Sequence, residues 1–316
     1  MKNEVFDFYD KTTLKSYNLT GIMRYQLNML DSLDVFTRKH CENVANITCR
    51  LCQYLHLSEE FTVYATTCAY LHDIGKLFIP SSILQKKGPL TNEEYEIMKT
   101  HTTIGYNMCM KDEKLRPYSA GPIYHHEALN GSGYPKGLNK KEIPMVGQII
   151  RVADEYDALV SKRQYKSHID ITDALKIIID NTQPEDQDLD KVDTMKVMIQ
   201  NSKLGKDNPK IVKALFKVVI DDIEYEISCT IDYIKYLEDN IKRLKEANKY
   251  YEKMQSAKNQ KEQKYNEEGV KCLLVRGETF DKFPEIYQEY QTAYELRKDM
   301  LTKLYDEVKK VKKLRV

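Results

Sequence analysis

The chain has 316 residues, of which 41% are hydrophobic and 31% charged, a composition that excludes a wholly disordered protein and suits one sizeable domain with an extension. Its 49 lysines and arginines nearly balance 48 aspartates and glutamates, so no global positive charge directs it to DNA or RNA duplexes or to anionic membranes. No run of 18 apolar residues occurs, and the N-terminus scatters acids and lysines. These features predict a cytoplasmic protein without a signal peptide or a membrane span.

Three regions follow one another along the chain. Residues 1–33 are predicted to form an N-terminal helical segment, and residues 34–220 have the spacing of successive helices. Apolar residues recur there at intervals of three and four, as in Val44, Ile47, Leu51 and Leu55. Thr91 with Glu94 three residues later predicts a capping box at a helix start. Because strand-like alternation is scarce, the predicted fold class is all-α.

Residues 221–316 have a different texture, with apolar positions spaced as in a heptad seam. The seam comprises Ile227, Thr230, Ile234, Leu237, Ile241, Leu244, Asn248 and Tyr251, and it resumes at Tyr287, Tyr290, Tyr294, Arg297, Leu301, Leu304, Val308 and Val311. We predict two long helices, while residues 255–280 could form a loop, a frayed helix or a short strand. The helices could fold back as a hairpin or pair between subunits. A combination of the two is favoured over a single solvated arm, and this combination predicts a homodimer through the C-terminal helices.

The seven cysteines are an odd number scattered through helical sequence, which does not predict a disulfide framework. Cys49 and Cys52 form a lone CxxC, and their spacing places both on one helix face. Packing as small hydrophobic residues is favoured over metal or redox chemistry.

Histidine is rare, yet five of the seven fall in polar signatures. These are His40, His72, His101, His125 and His126. Imidazole and carboxylate suit first-row transition ions such as Fe or Mn, and also Zn. On a helix, adjacent residues diverge by about 100°, so Asp73 could reach between two ions while His72 serves one.

Lys76 lies four residues after His72 and would return to the same helix face. There it could meet a phosphate oxygen or assist a leaving group. The alternative is a plain core helix from Leu71 to Phe78. It is disfavoured because a buried His, Asp and Lys together would be costly without mutual pairing.

Several linked motifs resemble the HD-GYP family of cyclic di-GMP phosphodiesterases. In chain order they are His72-Asp73-Ile74-Gly75-Lys76, Ile79-Pro80, Gly88-Pro89-Leu90-Thr91, Met98-Lys99-Thr100-His101, His125-His126-Glu127, Gly131-Ser132-Gly133-Tyr134-Pro135, and Val152-Ala153-Asp154 leading to Asp157-Ala158-Leu159. The match covers roughly residues 34–216. The HD dipeptide alone would leave dNTP hydrolases and cyclic-mononucleotide phosphodiesterases open, and the GYP segment narrows the choice.

The resemblance implies an HD-type helical bundle, followed here by a C-terminal long-helix hairpin or coiled-coil extension, with two divalent metal ions, Fe or Mn, in the bundle. Carried over by position, one ion would be held by His40, His72, Asp73 and Asp154, and the other by Asp73, His101, His125 and His126. Asp73 would bridge the two ions. The family's reaction is the attack of a bridging water or hydroxide on the phosphodiester.

The resemblance also implies substrate contacts. Gly131, Gly133 and Pro135 shape a turn in which the protein backbone can approach a ligand closely, and Tyr134 would lie against the bound dinucleotide. Arg163 and Lys166 resemble the family's phosphate-binding Arg and Lys. A plain surface turn and isolated surface cations are the alternatives, and they are disfavoured.

Several positions depart from the family pattern. Ala128 and Leu129 replace a commonly more polar or aromatic pair, and a polar insertion from about Thr182 to Lys203 lengthens the connection to the last helix. Asn130 replaces the usual Asp before the GYP loop, and Phe36 occupies the position of a Glu that supplies a third metal in some members, so a binuclear site is predicted. The leading hypothesis is hydrolysis of cyclic di-GMP to pGpG, with GMP as a further product. The alternatives are another cyclic dinucleotide, such as cyclic GMP-AMP, or a catalytically weak nucleotide-sensing scaffold that acts through the C-terminal helices.

Overall fold

The computed structural model describes residues 35–160, 171–183 and 205–314. The predicted segment 1–33 lies outside these residues. The chain separates into two compact units between Val219 and Ile220, and each is described by itself.

The first unit is built from helices, so the predicted all-α class is confirmed. Its α-helices in chain order are α1 (Val35–Tyr54), α2 (Glu59–Leu71), α3 (Ser81–Leu84), α4 (Asn92–Lys99), α5 (His101–Lys111), α6 (Ala120–Tyr124), α7 (Met145–Val160), α8 (Ile171–Asp180) and the first residues of α9 (Pro209–Gln255). Short 3-10 helices span Ile74–Phe78 and Arg116–Tyr118. Within the described residues, extended pairing is limited to one isolated bridge between Asn130 and Asn139.

Helices α1, α2 and α7 pack together around the centre of this unit. The apolar residues of α1 that recur at helical spacing, including Val44 and Leu51, are fully buried. Each such side chain contributes about 1.5–3 kcal/mol through burial. Arg50 ties α1 to the start of α9 by donating to the carbonyl oxygen of Val218 at 3.0 Å.

The local signals at the helix ends are found where the sequence places them. Thr91 and Glu94 form the predicted capping box at the start of α4, because each side chain accepts a hydrogen bond from the other's backbone N–H. The stretch from Leu71 to Phe78 is not one helix, however. α2 ends at Leu71, and a 3-10 helix begins at Ile74, so His72 and Asp73 lie at a junction, and the expected helical-face relation between His72 and Lys76 was wrong.

The second unit comprises residues 220–313, with most of α9, α10 (Gln260–Leu273), the 3-10 helix Phe280–Lys282 and α11 (Phe283–Lys313). Within the segment 255–280, which the sequence left open, residues Gln260–Leu273 form the helix α10. α9 and α11 run antiparallel, since Tyr294 bonds to Glu238 at 3.0 Å and Lys312 bonds to Glu224 at 2.8 Å. The hairpin alternative therefore describes this unit.

The end of the hairpin has its own apolar core. It consists of Leu244, Ala247, Val270 and Phe283, all fully buried. Arg243 fastens the connection by donating to both carboxylate oxygens of Glu278, at 2.7 and 2.8 Å. No helix in the described parts of the chain combines the length and apolar character needed to cross a membrane.

Candidate metal centre

Seven polar side chains converge from different helices of the first unit. His40 comes from α1 and Asp154 from α7, while His101 opens α5. The others are His72 and Asp73 at the end of α2, and His125 and His126 at the end of α6. All except the partly exposed His126 are buried. The residues predicted as metal ligands are thus brought into one cluster.

Asp73 lies at the centre of the cluster and divides its two oxygens between two groups of histidines. Oδ2 lies 3.5 Å from His40 Nε2 and 3.4 Å from His72 Nε2. Oδ1 lies 3.3 Å from His101 Nε2 and 3.9 Å from His125 Nε2. The carboxylate therefore faces two sets of nitrogen atoms, as a bridging ligand would.

Asp154 makes a second link across the cluster. Its Oδ1 lies 3.0 Å from His40 Nε2 and 3.9 Å from His72 Nε2, and its Oδ2 lies 3.9 Å from His126 Nδ1. Three combinations of these side chains have ligand atoms within 4.8 Å of one another, the spacing expected around a metal ion. They are His101 with His125 and His126, His40 with His72 and Asp73, and His72 with His125 and Asp154.

Hydrogen bonds fix the orientation of four imidazole rings. His72 Nδ1 lies 2.6 Å from the Ala69 carbonyl oxygen. His101 Nδ1 lies 2.7 Å from the Met98 carbonyl oxygen, and His125 Nδ1 lies 3.0 Å from the Gly121 carbonyl oxygen. Nδ1 of His40 lies 2.6 Å from Asp157 Oδ2. Because carbonyl and carboxylate oxygens only accept, Nδ1 must carry the proton in the neutral rings. The lone pair of Nε2 then points into the cluster, as in metal-ligating histidines.

The inner atoms fit a metal better than they fit one another. His101 Nε2 and His125 Nε2 lie 3.2 Å apart, and with both Nδ1 atoms protonated both inner nitrogens are acceptors with no proton to share. His72 Nε2 and Asp73 Oδ1 are buried without a hydrogen bond to any described residue. Buried polar atoms are costly without partners, and a cation would satisfy all four.

The electrostatics of the cluster keep most of its ligands in the form that binds a metal. Burial lowers the pKa of His101 and, more strongly, that of His125, so both rings are neutral. Burial by itself would raise the pKa of Asp73, but the ammonium of Lys76, 2.5 Å from Oδ2, holds it well below its usual range. His40 is the exception: burial would lower its pKa, yet Asp154 and Asp157 raise it to about 9, which favours the protonated ring when no metal is bound.

A close backbone approach positions His101. A Cβ atom added to Gly75 would lie 1.9 Å from the His101 carbonyl oxygen and 2.6 Å from the Gly105 amide nitrogen. Only glycine permits the 3-10 helix that follows Asp73 to pack this tightly against α5.

The loop after His126 brings Tyr134 onto the cluster. The Tyr134 ring stacks on the His126 ring with centroids 4.6 Å apart, and the Tyr134–Pro135 peptide bond is cis. Gly133 is packed so closely that an added Cβ would lie 2.3 Å from the Ala128 amide nitrogen. The predicted substrate-contacting residues Gly133, Tyr134 and Pro135 therefore lie beside the predicted metal ligands.

The sequence of the first unit matches a known family. The profile of the family described as "HD domain" matches residues 24–189. The chain belongs to the HD-domain family. Its HD dipeptide is His72–Asp73, the centre of the cluster described above.

Curated relatives of this HD domain include proteins named as cyclic-dinucleotide phosphodiesterases. A Thermotoga maritima protein named cyclic di-GMP phosphodiesterase is 43% identical over 155 residues, which cover 48% of this chain and 42% of the relative. The Xanthomonas campestris cyclic di-GMP phosphodiesterase response regulator RpfG is 40% identical over 133 residues, covering 41% and 35%. The HD-GYP resemblance is confirmed by these matches.

One relative is named for a different substrate. The 3'3'-cGAMP-specific phosphodiesterase 3 of Vibrio cholerae is 33% identical over 153 residues, which cover 48% of this chain and 33% of the relative. The chain spans less than half the length of each of these three relatives.

Two predicted phosphate contacts of this HD domain, Arg163 and Lys166, lie outside the described residues, as does the side chain of Phe36. Asn130 is described. Asn130 Oδ1 accepts hydrogen bonds from the Ser132 backbone N–H at 3.1 Å and from the Ser132 hydroxyl at 2.7 Å. Asn130 thus closes the local turn that shapes the loop.

The sequence analysis assigned no role to three side chains that support the site. Asp157 orients His40 and accepts from Asn43 at 2.9 Å, and its spacing of three from Asp154 could have indicated a shared helix face. Glu127 accepts from two backbone N–H groups of the Tyr134 loop at 2.7 and 2.8 Å. Arg151 pairs with Glu155 and with Asp207. The pairing with Asp207 is a long-range contact that no local pattern shows.

Proposed function

We propose that this chain is a binuclear-metal phosphodiesterase that hydrolyses cyclic di-GMP to pGpG, with GMP as a further product. The observation that carries the proposal is the position of Asp73, whose two oxygens face two separate sets of histidines. This arrangement supports one site made of His40, His72, Asp73 and Asp154, and a second made of Asp73, His101, His125 and His126. Relatives named as cyclic di-GMP phosphodiesterases support the substrate.

The donor set is chemically suited to two ions. Five imidazoles and two carboxylates form a mixed nitrogen and oxygen shell. Such a shell favours Fe or Mn over Mg²⁺ and Ca²⁺, which prefer coordination by oxygen alone. Divalent ions bound there lower the pKa of water and stabilise negative charge on a phosphoryl group undergoing in-line displacement. The proposal of Fe or Mn rests on this ligand chemistry.

The remaining residues orient the substrate and neutralise its charge. Lys76, with its ammonium on Asp73 and its side chain 15% exposed, provides a cation at the edge of the cluster for a phosphate oxygen or a leaving group. Tyr134 lies against the dinucleotide, and Gly133 and Pro135 shape the loop that holds it. Arg163 is proposed to bind phosphate through the paired N–H donors of its guanidinium, and Lys166 through the compact charge of its ammonium.

A second cyclic dinucleotide deserves a parallel test. The Vibrio cholerae relative named 3'3'-cGAMP-specific favours cyclic GMP-AMP as the alternative substrate, and the turn closed by Asn130 is the part of the loop that differs from the usual pattern. Both substrates require the same metals and the same hydrolysis. They differ only in one base.

The test of the proposal is metal reconstitution followed by a substrate panel. Purified full-length chain is loaded anaerobically with Fe or Mn, its metal content is measured, and linear products of cyclic di-GMP, 3'3'-cGAMP and cyclic di-AMP are separated by chromatography. We expect cleavage of cyclic di-GMP and its loss in Asp73→Asn. Two bound ions per chain without cleavage of any member of the panel would overturn the proposal in favour of a nucleotide-sensing scaffold.

We also propose a homodimer formed through the C-terminal helices. The hairpin buries the seam residues Leu237 and Leu304 within one chain, so the seam alone no longer supports pairing between subunits. Exposed aromatic residues on the same helices support it instead: Tyr233, Tyr236 and Tyr305 are each more than 40% exposed. The cytoplasmic location expected from the sequence stays a prediction.

A further inference from the structure

An aromatic and cationic cluster lies beside the metal centre on α4, which ends two residues before His101. The Tyr95 ring meets the Tyr134 ring edge to face at a centroid distance of 6.4 Å. Lys99 Nζ lies 5.3 Å from the Tyr95 centroid and 5.7 Å from the Tyr134 centroid. Because Tyr134 stacks on His126, these contacts form an unbroken chain from the metal ligands to α4.

Lys99 is a cation held at this edge by weak attachments. Its ammonium pairs with Glu96 Oε1 at 2.5 Å, but the Glu96 side chain is 69% exposed, compared with 26% for Lys99. Ion pairs with such an exposed partner are worth little in water. A phosphate of the substrate can therefore displace Glu96 from the ammonium, while cation–π attraction to the two tyrosine rings keeps the ammonium in place.

Tyr95 provides an aromatic surface that Tyr134 does not. One face of the Tyr134 ring is covered by His126, whereas Tyr95 is 47% exposed although it contacts both Tyr134 and Lys99. Nucleobases stack on such exposed rings irrespective of sequence, because every base has a π-face.

We propose that Tyr95 and Lys99 bind the half of a cyclic dinucleotide that is not being cleaved. A cyclic dinucleotide carries two phosphodiesters and two bases. When the metal centre engages one phosphodiester, Lys99 meets the other, and the base of that half stacks on Tyr95. The inference rests on the proposed function, since it assigns a second contact area to the same site.

The experiment compares substrates that do and do not have a second half. Metal-loaded Lys99→Met and Tyr95→Ala are assayed on the cyclic dinucleotide that the wild type cleaves and on bis(p-nitrophenyl) phosphate, which has a single phosphodiester and no base. We expect KM for the dinucleotide to rise about tenfold, the equivalent of about 1.4 kcal/mol, with kcat little changed. The kinetics on bis(p-nitrophenyl) phosphate should not change, and Lys99→Arg should restore the dinucleotide KM.

Removing the competitor of Lys99 should have the opposite effect. In Glu96→Gln the ammonium is released from its carboxylate, so KM for the dinucleotide should fall about twofold. Matched controls are Lys176→Met, which removes an exposed lysine paired with Asp173 at 2.8 Å, and Tyr265→Ala, which removes a tyrosine that is 71% exposed. Both should leave KM unchanged.

Equilibrium dialysis gives a readout that does not require turnover. Phosphorothioate analogues of cyclic di-GMP and 3'3'-cGAMP, which resist hydrolysis, are dialysed against the metal-loaded chain with and without Lys99→Met or Tyr95→Ala. An unchanged KM and Kd in both variants, in a wild type that cleaves the dinucleotide, overturns the role of α4 but leaves the phosphodiesterase intact. Binding weakened by both variants in a wild type that cleaves nothing overturns the proposed function alone, and no binding by any form overturns both.

Discussion

The contact between Asp157 and His40 predicts how much metal affinity is lost when Asp157 is replaced. Asp157 is 3% exposed, its Oδ2 lies 2.6 Å from His40 Nδ1, and its Oδ1 accepts from Asn43 at 2.9 Å. In Asp157→Ala the His40 ring loses the partner that aims Nε2 at the cluster. Outer partners of ligating histidines are worth about 10- to 100-fold in metal affinity, which corresponds to about 1.4–2.7 kcal/mol.

We expect Asp157→Ala to lose affinity near the upper end of that range, since the bond is short and shielded from water. Asp157→Asn should lose less, because its amide oxygen can still accept the His40 proton. Asn43→Ala is the matched control: it removes a neighbour of Asp157 but leaves the contact with His40 in place.

Anaerobic calorimetric titration with Mn²⁺ measures the number of ions bound and the Kd of each. Circular dichroism and thermal melting verify that each variant is folded, since Asp157→Ala leaves the buried His40 donor unpaired at a cost of about 1–3 kcal/mol, together with the partly buried Asn43 amide. A folded Asp157→Ala protein that binds both ions with wild-type affinity would refute the reasoning.

Three further outcomes follow from other parts of the chain. Gly133→Ala should lower kcat by about 100-fold, because the new Cβ would lie 2.5 Å from the His126 carbonyl oxygen and would displace the loop beside the metals. Steady-state assays on protein of measured metal content would show the decrease, and a wild-type kcat would contradict the prediction. Burial would raise the pKa of Glu278, but Arg243 lowers it, so this pair's stabilisation should be complete above the ordinary carboxyl pKa and be lost as the pH falls through the lowered value. Urea unfolding at several pH values would show this loss in the wild type and its absence in Glu278→Gln. Deleting residues 221–316 should convert a particle of twice the 37.1 kDa chain mass into a monomer, as measured by light scattering, and an unchanged oligomeric state would exclude the C-terminal dimer.

Local patterns were sufficient for the helices and for the membership of the cluster. The spacing of apolar residues predicted the helices of the first unit, and Thr91 with Glu94 predicted a capping box that the structure contains. Both depend on interactions within a few residues along the chain. The family resemblance identified all seven side chains that converge, because it combines residue identity with position along the chain.

The sequence was wrong or silent where distant parts of the chain meet. His72 and Lys76 were expected on one helix face, but the tight packing of Gly75 against α5 accompanies a change to a 3-10 helix at this point. Asp207 lies 56 residues from its partner Arg151, a distance at which no local spacing applies. The contact of Tyr95 with Tyr134 was equally beyond prediction, since Tyr134 lies in a loop nearly forty residues later.

The sequence by itself determined the chemistry of this protein: which histidines and aspartates are present, in what order, and with which helices around them. The tertiary structure decided how those groups face one another. It placed the Asp73 carboxylate between two sets of imidazoles, fixed the orientation of His40 through Asp157, and folded the second unit into a hairpin. The physical reason is that ligand geometry depends on contacts between residues far apart in the chain, whereas helix formation and residue identity are local.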